Sequence, residues 1–142
     1  YQFVLDRLLR KFHRAQTLVP GPVIEGPGDC DVGLVAIGSS HGAAHEAMDI
    51  LSRYGITVDY MRIRAFPFTS EVEQFLASHK RLFVIEQNRD AQLRSLLVLE
   101  TAVEKSRLSS ILHYSGLPMT SKEIVEAVLA ELGDSRRAAL MA

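Results

Sequence analysis

The hydrophobic pattern changes its period within residues 81–97, from that of a buried strand to that of a helix. Leu82, Phe83, Val84 and Ile85 form an uninterrupted apolar run that is rich in aromatic and β-branched side chains. Such a run is typical of a strand covered on both faces in a parallel sheet. We therefore expect an interior strand here, about which the other elements are arranged.

A polar turn and a helix follow this strand. Asn88 is predicted to accept hydrogen bonds from the free N–H groups of the first helical turn, and Asp90 brings a carboxylate to the positive end of the helix dipole. Leu93, Leu96 and Leu97 then share one face of the predicted helix. The stretch is predicted to form a strand, a turn and a helix in succession.

The remaining elements are predicted from periodicity and from start and stop signals. They are an amphipathic helix at 2–17, a candidate edge strand at Val23-Ile24, a strand at 32–37, a helix at 43–54 stopped by Gly55, a strand at 56–63, a helix at 71–78 capped by Ser70, a strand at 108–113, and a helix that starts at a Thr120/Glu123 capping box and ends before Gly133. Strands that alternate with helices imply a mostly parallel sheet with helices on both faces. The predicted class is α/β, with three αβα layers.

Prolines and glycines divide the chain into four parts. We expect an N-terminal amphipathic helix at 1–18, a Pro/Gly-rich linker with the candidate edge strand at 19–31, an α/β domain at 32–133 and a C-terminal tail at 134–142. The chain begins directly in helical periodicity at Tyr1, which we interpret as a piece of a longer polypeptide.

Composition and charge exclude several classes. With 142 residues, 47% of them hydrophobic and 23% charged, the chain can bury the core of one domain. A net charge of -1 provides no electrostatic footprint for nucleic acid, and no apolar run is long enough to span a membrane. Cys30 is the single cysteine, so this chain cannot form an internal disulfide or hold a four-thiolate cluster. We expect a cytoplasmic location.

The carboxyl ends of the strands are where an open parallel sheet collects ligands. The candidate ligand-binding or interface residues at these ends are Gly38, Ser39, His41, Gly42, Arg64, Glu86, Asn88 and Arg89. The first loop could cradle a phosphate, but it matches no phosphate-binding fingerprint, and a tight strand-to-helix turn is favoured.

Metal binding and acid–base catalysis are two further possibilities at the same edge of the sheet. His41 and His45 are four residues apart and could share a metal, but no third ligand accompanies them, so no metal site is assigned. Glu86 could be a general acid or base; a structural carboxylate paired with a nearby arginine is favoured, because no nucleophile or base accompanies it. No catalytic residue is assigned.

Four segments in the same order resemble the α subunit of 2-oxoacid:ferredoxin oxidoreductases, near its carboxyl end. They are Gly38-Ser39-Ser40-His41-Gly42, the stretch from Asp59 to Phe68, the stretch Val84-Ile85-Glu86-Gln87-Asn88-Arg89-Asp90-Ala91-Gln92-Leu93, and Tyr114-Ser115-Gly116-Leu117-Pro118-Met119-Thr120. The amino-acid sequence from Glu86 to Asp90 is most similar to that of the 2-oxoglutarate enzymes.

The resemblance implies a fold and an activity. The fold is that of a transketolase C-terminal domain, whose five-stranded sheet has one antiparallel strand, and the segment at Val23-Ile24 is the candidate for that strand. The whole enzyme would convert a 2-oxo acid to an acyl-CoA with coenzyme A, thiamine diphosphate, Mg²⁺ and [4Fe-4S] clusters, and pass electrons to ferredoxin. In that family other α-subunit domains, the β subunit and cysteine-rich modules hold the cofactors. This domain would then be structural and help to assemble the subunits.

Two alternatives remain beside the oxidoreductase. One is an independent flavodoxin-like module that binds a nucleotide or coenzyme A at the loops of Gly38 and Glu86, and the other is an interaction domain without a ligand. The helix at 2–17 carries Leu5, Leu8, Leu9 and Phe12 on one side, and either this helix or the edge of the sheet is the expected contact in a homo-oligomer. Its basic side is interpreted as solvated rather than as a contact with an acidic partner.

Overall fold

A computed structural model describes the backbone of residues 1–140 and the side chains of residues 1–133. Ten regular elements are present in the described chain, besides short 3₁₀ turns at Gly38–Ser40 and Lys105–Arg107. They are α1 (Gln2–Ala15), β1 (Val23–Glu25), β2 (Val32–Ile37), α2 (His41–Arg53), β3 (Asp59–Ile63), α3 (Ser70–Ser78), β4 (Arg81–Glu86), α4 (Gln92–Glu100), β5 (Leu108–Leu112) and α5 (Ser121–Leu140).

The sheet has five strands in the order β1-β3-β2-β4-β5. The strands β3, β2, β4 and β5 are mutually parallel, whereas β1 pairs antiparallel with β3, so that Ile24 lies opposite Met61. The antiparallel strand is at the edge and includes Val23 and Ile24, as predicted. The α/β class and the mixed five-stranded sheet are therefore confirmed.

The sheet is buried by two helices on each face. Apolar side chains that alternate along the strands, such as Leu34 and Val35 of β2, point to opposite faces. The first face packs on α2 and α5, and the second packs on α3 and α4. Interior strands covered on both sides explain why β4 is an uninterrupted apolar run.

The chain changes direction in the sheet between β2 and β4. From β2 it passes through α2 to β3 on one side, and from β4 it passes through α4 to β5 on the other side. The loops that follow β2 and β4 therefore leave toward opposite faces and open a crevice at the carboxyl ends of these two strands. This position is the one at which open α/β sheets bind ligands.

Several predicted boundaries are corrected. Helix α5 does not end before Gly133 but continues to Leu140, because one glycine costs a helix only about 1 kcal/mol and no neighbouring atom obstructs it. The predicted tail at 134–142 thus begins inside a helix; its side chains and the whole of residues 141–142 lie outside the described part. Helix α3 starts at Ser70, with Thr69 as its N-cap, and α1 ends at Ala15.

Helix α1 contributes no buried residue to the domain. Leu8 is 51% exposed and Phe12 is 43% exposed, although the ring of Phe12 meets the ring of Phe66 edge-on at 5.5 Å. The amide Nε2 of Gln16 donates to the carbonyl of Phe68 at 3.0 Å and fixes the end of the helix. Within residues 1–140, no helix is long and apolar enough to cross a membrane.

Candidate functional site

The crevice between β2 and β4 is bridged by Gln87. Its amide Nε2 donates to Ser39 Oγ at 2.8 Å and lies 3.4 Å from Oγ of Ser40, which is itself buried. Ser39 and Ser40 belong to the turn after β2, and Gln87 is the first residue after β4. The structure therefore joins the two strand-end loops, those of Gly38 and Glu86, that the sequence analysis named as candidates for ligand binding.

A cleft of about 420 Å³ opens beside this bridge and extends to the loop after β5. We call it the carboxyl-edge cleft; its lining residues are Ser39, Gln87, His113, Tyr114, Gly116, Leu117, Pro118 and Met119. The lining combines hydroxyl, amide and imidazole groups with apolar surface, and His113 is its only ionisable group besides the phenol of Tyr114. Such a surface suits a neutral or weakly polar ligand or a protein segment better than a phosphate.

His113 is the most highly connected side chain of the cleft. Its Nδ1 lies 2.7 Å from Glu123 Oε1, and its Nε2 lies 2.6 Å from the carbonyl oxygen of Leu117 and 3.0 Å from Ser115 Oγ. The hydrogen bond to the Leu117 carbonyl and the interaction with Glu123 together raise the pKa of His113 above its ordinary value of 6.5. The sequence predicted no partner for this histidine.

Glu86 is buried, and both of its carboxylate oxygens are engaged. One oxygen accepts the backbone N–H of Leu93 at 2.7 Å, and the other accepts that of Arg94 at 2.9 Å. The side chain of Asn88 also donates to Glu86, at 2.8 Å. The described partners of Glu86 are thus backbone amides and Asn88, and the prediction that it pairs with an arginine side chain is wrong. It binds the free amides at the start of α4.

The turn between β4 and α4 depends on Asn88 as well. Its Oδ1 accepts the N–H groups of Asp90 at 3.0 Å and Gln92 at 3.3 Å, so it bonds the beginning of the helix as predicted. Asn88 is not the N-cap residue, however. That position is held by Ala91 in the left-handed region, with φ 51 and ψ 48. Arg89 is directed to solvent and pairs with Asp90 at 2.8 Å.

His41 and His45 lie together, with ring centroids 4.3 Å apart, yet each faces a different group. The hydroxyl of buried Tyr60 lies 3.0 Å from Nδ1 of His41, and the carboxylate of Glu25 lies 3.2 Å from Nε2 of His45. Burial, followed by the charges of His45 and of an arginine on β3, lowers the pKa of His41, while burial raises the pKa of Tyr60 to about 12. Among the described residues, no three His, Cys, Asp or Glu side chains converge as metal ligands.

The other candidate residues, Gly38, Gly42 and Arg64, are not among the lining residues of the cleft. Gly38 and Arg64 form hydrogen bonds that involve a backbone carbonyl. Gly38 has φ 71, and its carbonyl oxygen accepts Nη2 of Arg62 at 3.4 Å. Arg64 Nε donates to the carbonyl of Gly21 at 2.7 Å and so anchors the linker before β1. A Cβ atom at Gly42 would meet nothing within 4 Å, so there is space for alanine at this position.

Sequence reasoning missed a buried pair at the opposite edge of the sheet. Asp59, the first residue of β3, accepts the N–H groups of Gly28 at 2.7 Å and Cys30 at 3.1 Å, and it faces Nε2 of His79 at 3.1 Å. Burial and the charge of Asp59 raise the pKa of the Cys30 thiol to about 11. A polar residue at the start of an apolar strand was the available signal.

Sequence comparison places the chain among known proteins. A family model described as "Pyruvate:ferredoxin oxidoreductase core domain II" matches residues 30–124. The chain is 31% identical over 134 residues to 2-oxoacid:ferredoxin oxidoreductase 2, subunit alpha, of Aeropyrum pernix, which covers 89% of this chain and 21% of that protein. The corresponding α subunit of Saccharolobus solfataricus is 30% identical over 116 residues, covering 80% and 18%. The chain thus spans about a fifth of the length of the curated relatives it matches.

Solved structures agree with this assignment. The 2-oxoglutarate:ferredoxin oxidoreductase from Magnetococcus marinus, solved with 2-oxoglutarate, coenzyme A and succinyl-CoA bound, matches with a TM-score of 0.74 and 29% identity over 84% of this chain and 21% of that one. The α chain of a probable 2-oxoacid ferredoxin oxidoreductase from Thermoplasma acidophilum matches with a TM-score of 0.55 and 28% identity, over 80% of this chain and 97% of that one. A split-gene transketolase, at 18% identity and a TM-score of 0.60 over 77% and 41%, shares the fold.

The family model covers most of the α/β domain, including the turn that binds Ser39 to Gln87 and the loop of His113. The two curated relatives and the first two solved structures are 2-oxoacid:ferredoxin oxidoreductases or their α subunits. This confirms the resemblance expected from the four segments. The chain belongs to the family of the pyruvate:ferredoxin oxidoreductase core domain II.

Proposed function

We propose that this chain is the transketolase C-terminal-like domain of the α subunit of a cytoplasmic 2-oxoacid:ferredoxin oxidoreductase, and that its part in the enzyme is structural. The observation that carries the proposal is the set of hydrogen bonds formed by the side chains of Glu86 and Asn88. These two residues of the family-like stretch engage each other and the amides of α4. A carboxylate that accepts two backbone N–H groups holds a helix start and has little capacity left for substrate chemistry.

The proposed substrate is 2-oxoglutarate, which the whole enzyme converts with coenzyme A to succinyl-CoA and CO₂, while ferredoxin accepts the two electrons that are released. Support comes from the amino-acid sequence of residues 86–90 and from the Magnetococcus enzyme, which was solved with 2-oxoglutarate, coenzyme A and succinyl-CoA bound. The test is to assay the complete enzyme that contains this sequence with 2-oxoglutarate and with pyruvate. We expect kcat/KM to be at least about ten-fold higher for 2-oxoglutarate, a difference of about 1.4 kcal/mol in transition-state binding. Equal values, or a preference for pyruvate, would contradict this assignment.

The cofactors proposed for the whole enzyme are thiamine diphosphate with Mg²⁺ and [4Fe-4S] clusters. The residues of this chain do not fit them, because its single cysteine cannot provide four thiolates and the described acidic and histidine side chains form no ligand group. The proposal therefore assigns these groups to other domains and to the β subunit. Titration calorimetry of the 142-residue chain with thiamine diphosphate and Mg²⁺ is the direct test. We expect no heat of binding, and micromolar affinity would contradict the structural role.

The partners in this proposal are the other α-subunit domains, the β subunit and a second copy of the enzyme. Helix α1 is the proposed contact, because it contributes no buried residue to its own domain and carries an exposed apolar stripe, formed by Val4, Leu5, Leu8, Leu9 and Phe12. The four basic residues of the helix, Arg7, Arg10, Lys11 and Arg14, are exposed on other positions of its surface. Association through the stripe would remove this apolar surface from water.

A second candidate function is a nucleotide- or coenzyme A-binding module. Only the position of the carboxyl-edge cleft favours it, since the cleft lies at the point where the strand order reverses and includes Ser39 and Gln87. Its lining, with His113 as the one basic group among the described residues, suits the phosphates of such ligands poorly. The test is calorimetry with coenzyme A and with ADP, using the wild-type chain and Gln87→Leu. Binding that the substitution abolishes would favour the module, whereas no binding of either compound would leave the structural role.

A further inference from the structure

The protonation state of His113 follows from the atoms that surround its ring. Nδ1 faces a carboxylate oxygen of Glu123 at 2.7 Å, and Nε2 faces the carbonyl oxygen of Leu117 at 2.6 Å. A backbone carbonyl can only accept, and an ionised carboxylate can only accept, so both ring nitrogens must carry hydrogen. Hydrogen bonds from the backbone and side chain of Thr120 and from His113 keep the pKa of Glu123 low and favour its ionised form. In this arrangement His113 is an imidazolium.

A second partner is available to the neutral ring. Ser115 Oγ lies 3.0 Å from Nε2 of His113, and a hydroxyl can either accept or donate. When the ring loses its proton from Nε2, the remaining proton stays on Nδ1, facing Glu123. The bare Nε2 then faces the carbonyl oxygen of Leu117, with which it can form no hydrogen bond. The hydroxyl of Ser115 can rotate and donate to Nε2 instead.

This exchange affects a wall of the carboxyl-edge cleft. Tyr114, Gly116 and Leu117 line the cleft, and the side chains of Tyr114 and Leu117 are 65% and 71% exposed. Packing therefore contributes little to holding this segment. The bond from His113 to the Leu117 carbonyl and the bond from the N–H of Leu117 to Ser115 Oγ, at 3.2 Å, are contacts that fix its position.

We propose that His113 is a proton-controlled clasp that fixes the loop 114–118 against the cleft when its ring is charged and releases the carbonyl of Leu117 when its ring is neutral. The charged group that faces the ring is Glu123 of α5. From β4, Glu86 meets His113 through its backbone carbonyl, while its carboxylate binds the amides of α4. Gln87 is uncharged. The clasp thus depends on one ion pair and one carbonyl.

The direction of the pH response follows from the interactions of the charged ring. A group whose folded-state pKa is raised binds its proton more tightly in the closed arrangement, so the clasp is complete at pH values below 6.5. It is lost as the pH rises through the raised pKa of His113. The same loop lines the carboxyl-edge cleft, which is the surface considered above for a ligand, but the clasp is a property of this chain and does not depend on the enzymatic assignment.

The experiment uses the sequence's lack of tryptophan. The substitution Tyr114→Trp places a single fluorescent reporter on the loop, and acrylamide quenching then measures its accessibility between pH 5 and pH 9. We expect quenching to increase in one transition, with a midpoint equal to that of the His113 ring in a ¹⁵N NMR titration of the same protein. Circular dichroism at each pH checks that the domain remains folded.

Three further substitutions in the reporter background separate the clasp from general loosening. Glu123→Gln should lower both midpoints by about one pH unit, because it removes the charge that favours the imidazolium. Ser115→Ala should raise both midpoints, because it removes the donor of the neutral form, and should raise quenching at every pH, because it also removes the acceptor of the Leu117 N–H. Glu126→Gln is the matched control on the same helix. It removes an exposed ion pair with Lys122 and should leave both midpoints unchanged.

The proposal is overturned if quenching stays constant while His113 titrates, or if the transition persists in His113→Gln. It is also overturned if Glu123→Gln shifts the ring titration and the loop does not follow. The proposal is supported if the quenching midpoint equals the His113 titration midpoint in the reporter protein. Both midpoints must then move together, downward in Glu123→Gln and upward in Ser115→Ala.

Discussion

The carboxylate of Asp59 lies 3.1 Å from Nε2 of His79, and both side chains are buried in the described structure. Nδ1 of His79 lies 2.7 Å from the carbonyl oxygen of Phe75, which can only accept, so Nδ1 must carry a hydrogen. The contact with Asp59 therefore needs one more proton, on Nε2 or on the carboxyl. Because Asp59 also accepts the N–H groups of Gly28 and Cys30, one buried residue binds the linker, β3 and the end of α3 together.

Replacing Asp59 with Ala should destabilise the domain strongly. The change leaves buried His79 and the partly buried backbone N–H groups of Gly28 and Cys30 without their acceptor, and we expect a loss of about 3 to 5 kcal/mol in the free energy of unfolding. Asp31→Ala is the matched control, because it removes an exposed pair with Lys80 and should cost less than about 1 kcal/mol. Urea unfolding measures both. Equal losses would mean that burial does not determine the contribution of Asp59.

The carboxylate of Asp59 should also make the stability of the domain depend on pH in the acidic range. Burial by itself raises the pKa of Asp59, but hydrogen bonds from Gly28, His79 and Cys30 outweigh burial and lower it below its ordinary value of 3.8. The stabilisation is therefore present above pH 3.8 and lost as the pH falls through the folded-state pKa. Melting temperatures measured from pH 6 to pH 2 should fall more steeply for the wild type than for Asp59→Asn.

Gly26 and Gly28 provide a matched test of the space around Asp59. Both have a positive φ, of 120 and 89, so alanine is strained at either position. At Gly26 a Cβ atom would also collide with the carboxylate of Asp59 and lie 2.9 Å from its Cα, whereas at Gly28 it would meet nothing within 4 Å. Gly26→Ala should therefore lower the free energy of unfolding by about 1 to 3 kcal/mol more than Gly28→Ala. Urea unfolding of both proteins gives the difference, and equal losses would show that the linker moves away at little cost.

The sequence predicted the elements well and their polar connections poorly, for a physical reason. The apolar run of Leu82 to Ile85 and the edge position of Val23-Ile24 are local signals, and the structure agrees with both. The partners of Glu86 depend on the path of the chain through 87–92, which includes a left-handed Ala91 that no pattern indicates. Asp59 with His79, and His113 with Glu123, meet only after the sheet and helices have packed. Hydrophobic periodicity specifies burial, but it does not specify which polar groups become neighbours.

Glu86→Ala tests whether the turn after β4 is held by that carboxylate. Removing it leaves the amides of Leu93 and Arg94 without acceptors at the start of α4, and we expect a loss of about 2 to 5 kcal/mol. Asn88→Ala removes the contacts with the N–H groups of Asp90 and Gln92 and the hydrogen bond to Glu86, and should cost about 0.5 to 2 kcal/mol. Thermal and urea unfolding measure both changes. If Asn88→Ala left melting unchanged while turnover of the complete enzyme collapsed, Asn88 would have to be assigned to the active site.

The double substitution Leu8→Asp and Phe12→Asp tests the proposed contact through α1. Neither side chain is buried in the domain, so the sheet should remain folded, with its free energy of unfolding changed by less than about 1 kcal/mol. If the apolar stripe of α1 joins two copies, two carboxylates in it should convert the dimer to a monomer in sedimentation velocity. Arg7→Asp with Arg14→Asp is the control, because it introduces the same residues on the basic side and should leave the mass unchanged. Unfolding of the Leu8/Phe12 protein would place these side chains in the domain's own core, and an unchanged mass would exclude α1 from the interface.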